Sequence, residues 1–62
     1  MLDLAFDSER IKALRQRLGL SQRAMAERLG VAQPTVANWE TGKKEPQGQG
    51  VLSRLYQLER EA

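Results

Sequence analysis

SQRAMAERLGVAQPTVANWETG, residues 21–42, decides the fold. Ser21 is a good N-cap, with a hydroxyl that accepts from the open amides of a helix's first turn. Leu20 and Met25 flank it as a hydrophobic staple. Behind the cap, Met25, Ala26 and Leu29 recur at helical spacing and give the segment from Ser21 to Leu29 one buried stripe. Gly30 breaks this helix, because the turn Gly30-Val31-Ala32 needs a residue that accepts positive φ, and Val31 plugs the core. A second helix runs from about Gln33 to Thr41 until Gly42 stops it. Its Val36 and Trp39 point inward, Pro34, Ala37 and Asn38 lie on the opposite side, and Gln33 sits at the exposed tip.

Two starts for this second helix are open. A Val31–Val36 staple puts the cap at Ala32, whereas the extended bias of a residue before proline makes Gln33 the cap. Pro34 suits either register, since a first-turn amide has no partner within the helix to lose. In both registers two short helices meet at one tight turn, which is a helix-turn-helix arrangement.

Upstream, Asp7 caps a further helix on which Ile11, Leu14 and Leu18 share a face while Lys12, Gln16 and Arg17 point outward. Phe6 and Ile11 are its staple, and Gly19 ends it. Before it, Leu2, Leu4 and Phe6 alternate with Asp3 and Ala5. This fits a short extended segment or, more simply, an arm whose Phe6 tucks onto the first helix. Downstream, GKKEPQGQG (42–50) holds three of the five glycines and one of the two prolines, so it is a loop. Helical spacing returns from roughly Gly48 to Glu61. Val51, Leu55 and Leu58 form one apolar line there and Leu52 with Tyr56 a second. That is more than a small core needs, and it leaves one line for a partner chain.

Sixty-two residues make one small domain, 1–62, of a size that buries only about 60% of the surface its unfolded chain exposes. The chain has no cysteine and no histidine, which removes a disulfide framework, the usual zinc sites and the common nucleophile–base pairs. We expect no enzyme, no metal and no cofactor. The absence of a long apolar run or a signal-peptide pattern points to a soluble cytoplasmic protein that does not engage a membrane. Net charge is +2, but residues 10–44 carry +6 and the ends −4. A basic middle between acidic ends suits a polyanion-binding face, although a solvated helix surface would look the same.

The run SQRAMAERLGVAQPTVANWETGKKEP, with IKALRQRLGL before it, resembles the lambda-repressor and Cro type of helix-turn-helix, also called XRE-type. The resemblance covers about residues 9–46. It rests on Ser21-Gln22 opening a helix, on Ala26, on the Leu29-Gly30-Val31 turn, and on Val36, Trp39-Glu40 and Gly42-Lys43. It implies an all-α, compact domain of four helices, with five as the alternative, and a short N-terminal arm. It further implies a bacterial or phage-type regulator of transcription that binds double-stranded operator DNA, usually as a homodimer on a two-fold symmetric site.

The chemistry of the residues fits that implication. An outward-facing helix tip can enter the major groove, where base edges differ in donors and acceptors. Gln33 can donate and accept at once, which suits adenine, and the matching family position contacts bases. Asn38 has the same chemistry, while Pro34 and Ala37 offer apolar contact to a thymine methyl. The plainer alternative for Gln33 and Asn38 is ordinary exposed polar residues. Gln22 resembles a family residue that grips a phosphate at a helix N-terminus. Arg23, Thr35, Lys43 and Lys44 are further candidates for phosphate, with Arg10 and Arg17 behind them. In the family the residues matching Arg15 and Glu40 form a shielded salt bridge, which assigns both to structure, and Trp39 belongs to the core.

The expected function is thus a DNA-binding repressor. A helical protein-interaction module that does not read DNA is a second reading, favoured by Pro34, Ala37 and the wide stripe near the C-terminus. An antitoxin that binds a toxin and represses its own operon is a third.

Overall fold

The computed structural model describes residues 6–62, and in them the chain forms four helices: α1 (Ser8–Leu18), α2 (Gln22–Leu29), α3 (Gln33–Thr41) and α4 (Gln49–Glu61). The architecture is all-α. The alternation of Leu2 and Leu4 lies outside the described residues.

The first three helices open on one plan: an apolar residue, a cap, and a second apolar residue one turn into the helix. The trios are Phe6-Asp7-Ile11, Leu20-Ser21-Met25 and Val31-Ala32-Val36. Asp7 Oδ1 accepts from the Arg10 amide at 2.8 Å, and Ser21 Oγ from the Ala24 amide at 3.0 Å. Ala32 has no side chain to offer, yet its backbone is extended, with φ −77° and ψ 150°, and α3 begins at Gln33. The staple register therefore prevails over the pre-proline one. It places Pro34 second in the helix, where a proline has no amide to leave unsatisfied, and it buries Val36 completely.

Gly30 closes α2 in the left-handed region at φ +73°, and a Cβ there would lie 3.0 Å from Arg54 Nη1. The conformation calls for glycine, while the Arg54 side chain, exposed and flexible, could give way to a Cβ. The turn delivers α3 onto α2 and α1, while α4 lies chiefly on α1 and α2.

One core joins Phe6 and all four helices: Phe6, Ile11, Leu14, Met25, Ala26, Leu29, Val36, Trp39, Leu55 and Leu58 are buried, with Leu18, Leu20, Val31, Val51 and Leu52 packed around them. Val31 is a half-buried edge of this core rather than its plug. The spare stripe on α4 is also smaller than its spacing suggests. Leu52 packs on the core, and Tyr56, 41% exposed, meets the Phe6 ring edge-on at 5.0 Å between centroids. Phe6 thus occupies much of the face that the periodicity of α4 assigns to a partner. Pro46, in the loop before α4, is buried too.

Candidate nucleic-acid interface

α3 presents the residues singled out for DNA by their position. Gln33 and Pro34 are exposed at its start, and Thr35, Ala37 and Asn38 are half-buried. The inward side is anchored by Val36 at 0% and Trp39 at 4% exposure. Past the helix, Gly42 turns the chain at φ 82°, and the amides of Lys43 and Lys44 both donate to the Asn38 carbonyl, at 3.0 and 3.3 Å. The two lysines are thereby fixed by their backbone directly after α3 while their side chains stay in solvent.

Gln22 is the first residue of α2 as Gln33 is of α3, and the turn brings the two together. Gln33 Nε2 donates to Gln22 Oε1 at 2.8 Å, and Gln22 Nε2 donates to Glu40 Oε1 at 3.3 Å. Glu40 in turn accepts from Arg15 Nε at 2.6 Å and Nη2 at 3.0 Å, and Arg15 Nη1 reaches the Leu20 carbonyl at 3.0 Å. A continuous polar chain thus runs from the tip of α3 to the inner face of α1. Its inner end is well shielded, with side-chain exposures of 17% for Arg15 and 5% for Glu40.

Burial alone would raise the Glu40 carboxyl. Hydrogen bonds from Arg15 and Gln22 and the charges of Arg15 and Lys12 outweigh it and hold the group below the ordinary glutamate range. The hydrogen bond to Glu40 holds the Arg15 guanidinium above its own, against burial. The Glu59 carboxyl is lowered first by its hydrogen bond from Arg10, against burial, and further by the charges of Arg10 and Arg17. A carboxyl lowered in the folded state adds stability above its unfolded pKa and loses it as the pH falls through the folded value. Urea midpoints should therefore stay level between pH 6 and 8 and fall as the pH drops below about 4.3. The fall should be shallower in Glu40→Gln, whose side chain has no such proton to take up.

The basic residues do not form one continuous face. Arg10 makes a bidentate pair with Glu59, 2.8 Å at both contacts, and lies 3.9 Å from the centre of the Phe6 ring. Arg28 pairs with Glu61 at 2.6 Å. Both arginines are thus engaged by the end of α4, and Arg17 is close enough to Glu59 for its charge to act there. Arg23 is 84% exposed and 3.8 Å from Glu27, itself 71% exposed, a contact of little strength. Lys43 and Lys44 make no ion pair among the described residues. These two lysines put positive charge directly after α3, with Glu45 next in the chain.

Residues 11–49, well over half of the chain, match the helix-turn-helix family HTH_3. The chain belongs to this family. It is a lambda-repressor-like, XRE-type helix-turn-helix domain, and the family is one of DNA-binding regulators. No curated protein matches the chain. The helix-turn-helix match runs from Ile11 in α1 to the first residue of α4, so it includes the Arg15–Glu40 chain, both opening glutamines and the two lysines. Most of α4 lies beyond it. None of the helices of the described residues is long and apolar enough to cross a membrane.

Sequence spacing placed Gln22 and Gln33 at helix starts but did not reveal their contact. The available signal was that each stands directly behind the cap of its helix, on either side of one turn. Lys12, which reads only as outward-facing, lies near enough to Glu40 for its charge to act on that carboxylate.

Proposed function

We propose that this domain is a cytoplasmic transcriptional repressor that binds a palindromic operator as a homodimer, with α3 in the major groove. The observation that carries the reading is the placement of Gln33, exposed at the first position of α3, braced by Gln22, with two lysines directly after the helix that make no ion pair among the described residues. Gln33 and Asn38 read base edges, and Pro34 and Ala37 give apolar contact to a thymine methyl. Asn38, half-buried, has the smaller reach. Gln22, Arg23, Thr35, Lys43 and Lys44 hold phosphates, and the chain 1–62 acts as one domain. Arg10, taken up by Glu59 and Phe6, is not among the phosphate contacts. The protein-interaction alternative loses support because Leu52 and Tyr56 are engaged by the core and by Phe6.

Two substitutions test the division of labour. Gln33→Ala should lower discrimination at particular base pairs, by about 1–3 kcal/mol for a bidentate contact. Lys43→Ala should weaken binding to every sequence and flatten the salt dependence by about one unit of slope. Fluorescence titrations at several salt concentrations, on selected and random duplexes, separate the two. Equal losses on both duplexes for Gln33→Ala would remove it as a reader. Selection from a random DNA pool gives the operator, and the spacing of its half-sites tests dimerisation.

A further inference from the structure

Glu40 is the member of the Arg15–Glu40–Gln22–Gln33 chain that can only accept hydrogen bonds. An ionised carboxylate has no proton to give, so an amide facing it must turn its nitrogen toward it. Gln22 does so, with Nε2 3.3 Å from Glu40 Oε1. Its oxygen then faces the other way and receives Gln33 Nε2 at 2.8 Å. Direction passes from the inside outward. Gln33 keeps its carbonyl oxygen and one N–H for the solvent side, which is one acceptor and one donor. With Gln22 reversed, its nitrogen would engage Gln33 Oε1, and Gln33 would turn two N–H groups outward instead.

We infer that Glu40 is a specificity-setting residue: acting through Gln22, it fixes which way round the Gln33 amide faces and so inclines that reader to adenine over guanine. The inference rests on Gln33 being a base contact. Adenine offers an acceptor at N7 and a donor at N6, which an amide showing one N–H and its carbonyl can match, whereas guanine offers acceptors at both N7 and O6, which call for two donors. Arg15 holds Glu40 by two hydrogen bonds at 5% side-chain exposure, so the carboxylate cannot swing aside. The ion pair thus does more than fasten α1 to α3. It is the fixed reference from which the orientation of the reader is set, and Glu40 is a positioning residue rather than a contact.

The test is selection from a random-sequence duplex pool with the unaltered chain, Gln33→Ala, Glu40→Gln and the double variant, with side-chain amide NMR spectra of the free proteins alongside. Glu40→Gln has nearly the same shape but can show either nitrogen or oxygen to Gln22. At the position where Gln33→Ala loses its adenine preference, Glu40→Gln should lower the adenine-to-guanine ratio roughly tenfold. The other positions should keep theirs. The double variant should lose no more than Gln33→Ala alone, because the two residues act through one contact. The Gln22 and Gln33 side-chain amide resonances should move in Glu40→Gln. Gln22→Met cuts the chain beyond an intact ion pair and should relax the same position, which keeps the test valid if Glu40→Gln folds poorly. An unchanged ratio in both variants overturns the inference, as does an even loss at all positions or an added loss in the double variant. A chain that enriches nothing, or a Gln33→Ala that enriches the original sequence, overturns the base-reading role beneath it. Unmoved amide resonances in Glu40→Gln overturn the relay alone.

Discussion

Trp39→Ala should lower the free energy of unfolding by about 3–5 kcal/mol, the cost of emptying a large aromatic site in a core. Trp39 is 4% exposed, on the same side of α3 as the fully buried Val36. A chain of 62 residues has a total stability of roughly 3–9 kcal/mol, so the loss removes about a third of it at the least. Urea unfolding followed by circular dichroism checks this, with Trp39→Phe as the milder partner that refills part of the volume. DNA binding should weaken for Trp39→Ala on all sequences together, in step with helicity. A Trp39→Ala chain that keeps its helicity and loses only binding would mean that the indole acts at the DNA surface.

Arg15→Ala should cost about 3 kcal/mol, the lower end of the range for breaking a buried pair. It strands the Glu40 carboxylate at 5% exposure with Gln22 as its remaining hydrogen-bond donor, and it frees the Leu20 carbonyl. The lower end applies because Arg15 itself is 17% exposed, which lets water reach the vacated space. The variant carries its own signature in pH. Without Arg15, Glu40 loses the hydrogen bonds and the charge that do most to hold its carboxyl down, and its folded pKa rises toward or past the unfolded one. The stability that this group adds above its unfolded pKa in the unaltered chain is then reduced or lost. The gap between the two proteins should therefore narrow as the pH falls below about 4.3, as urea midpoints would report. A joint change of both residues to apolar ones, Arg15→Met with Glu40→Leu, should cost less than Arg15→Ala, because no buried charge is left alone.

What could be read from the residues was what adjacent residues decide. Asp7 and Ser21 announce helix starts through oxygens that reach an amide three residues on, and Gly19, Gly30 and Gly42 announce ends through a conformation that other residues resist. The start of α3 was ambiguous because two local rules conflict at Gln33. The conflict was resolved by Val36, whose burial depends on the rest of the core. The Gln22–Gln33 and Gln22–Glu40 contacts join residues 11 and 18 positions apart and depend on the angle between α2 and α3, which no local rule supplies. The pairs made by Arg10 and Arg28 span 49 and 33 positions. A count of charges along the chain therefore overstated the basic face, since it could not show that α4 folds back to neutralise two of its members.

That folding back decides which cations of the molecule already have a partner. Glu59 and Glu61 stand at the C-terminal end of α4, while Lys43 and Lys44 precede its start. A helix of 13 residues is about 20 Å long, so the two glutamates lie most of that length from the start of α4. For Arg10 and Arg28 the acidic end of α4 serves as a built-in counterion. Lys43 and Lys44, directly after α3, carry no such counterion among the described residues. An anion can meet these lysines without displacing a carboxylate, as it would have to at Arg10 or Arg28.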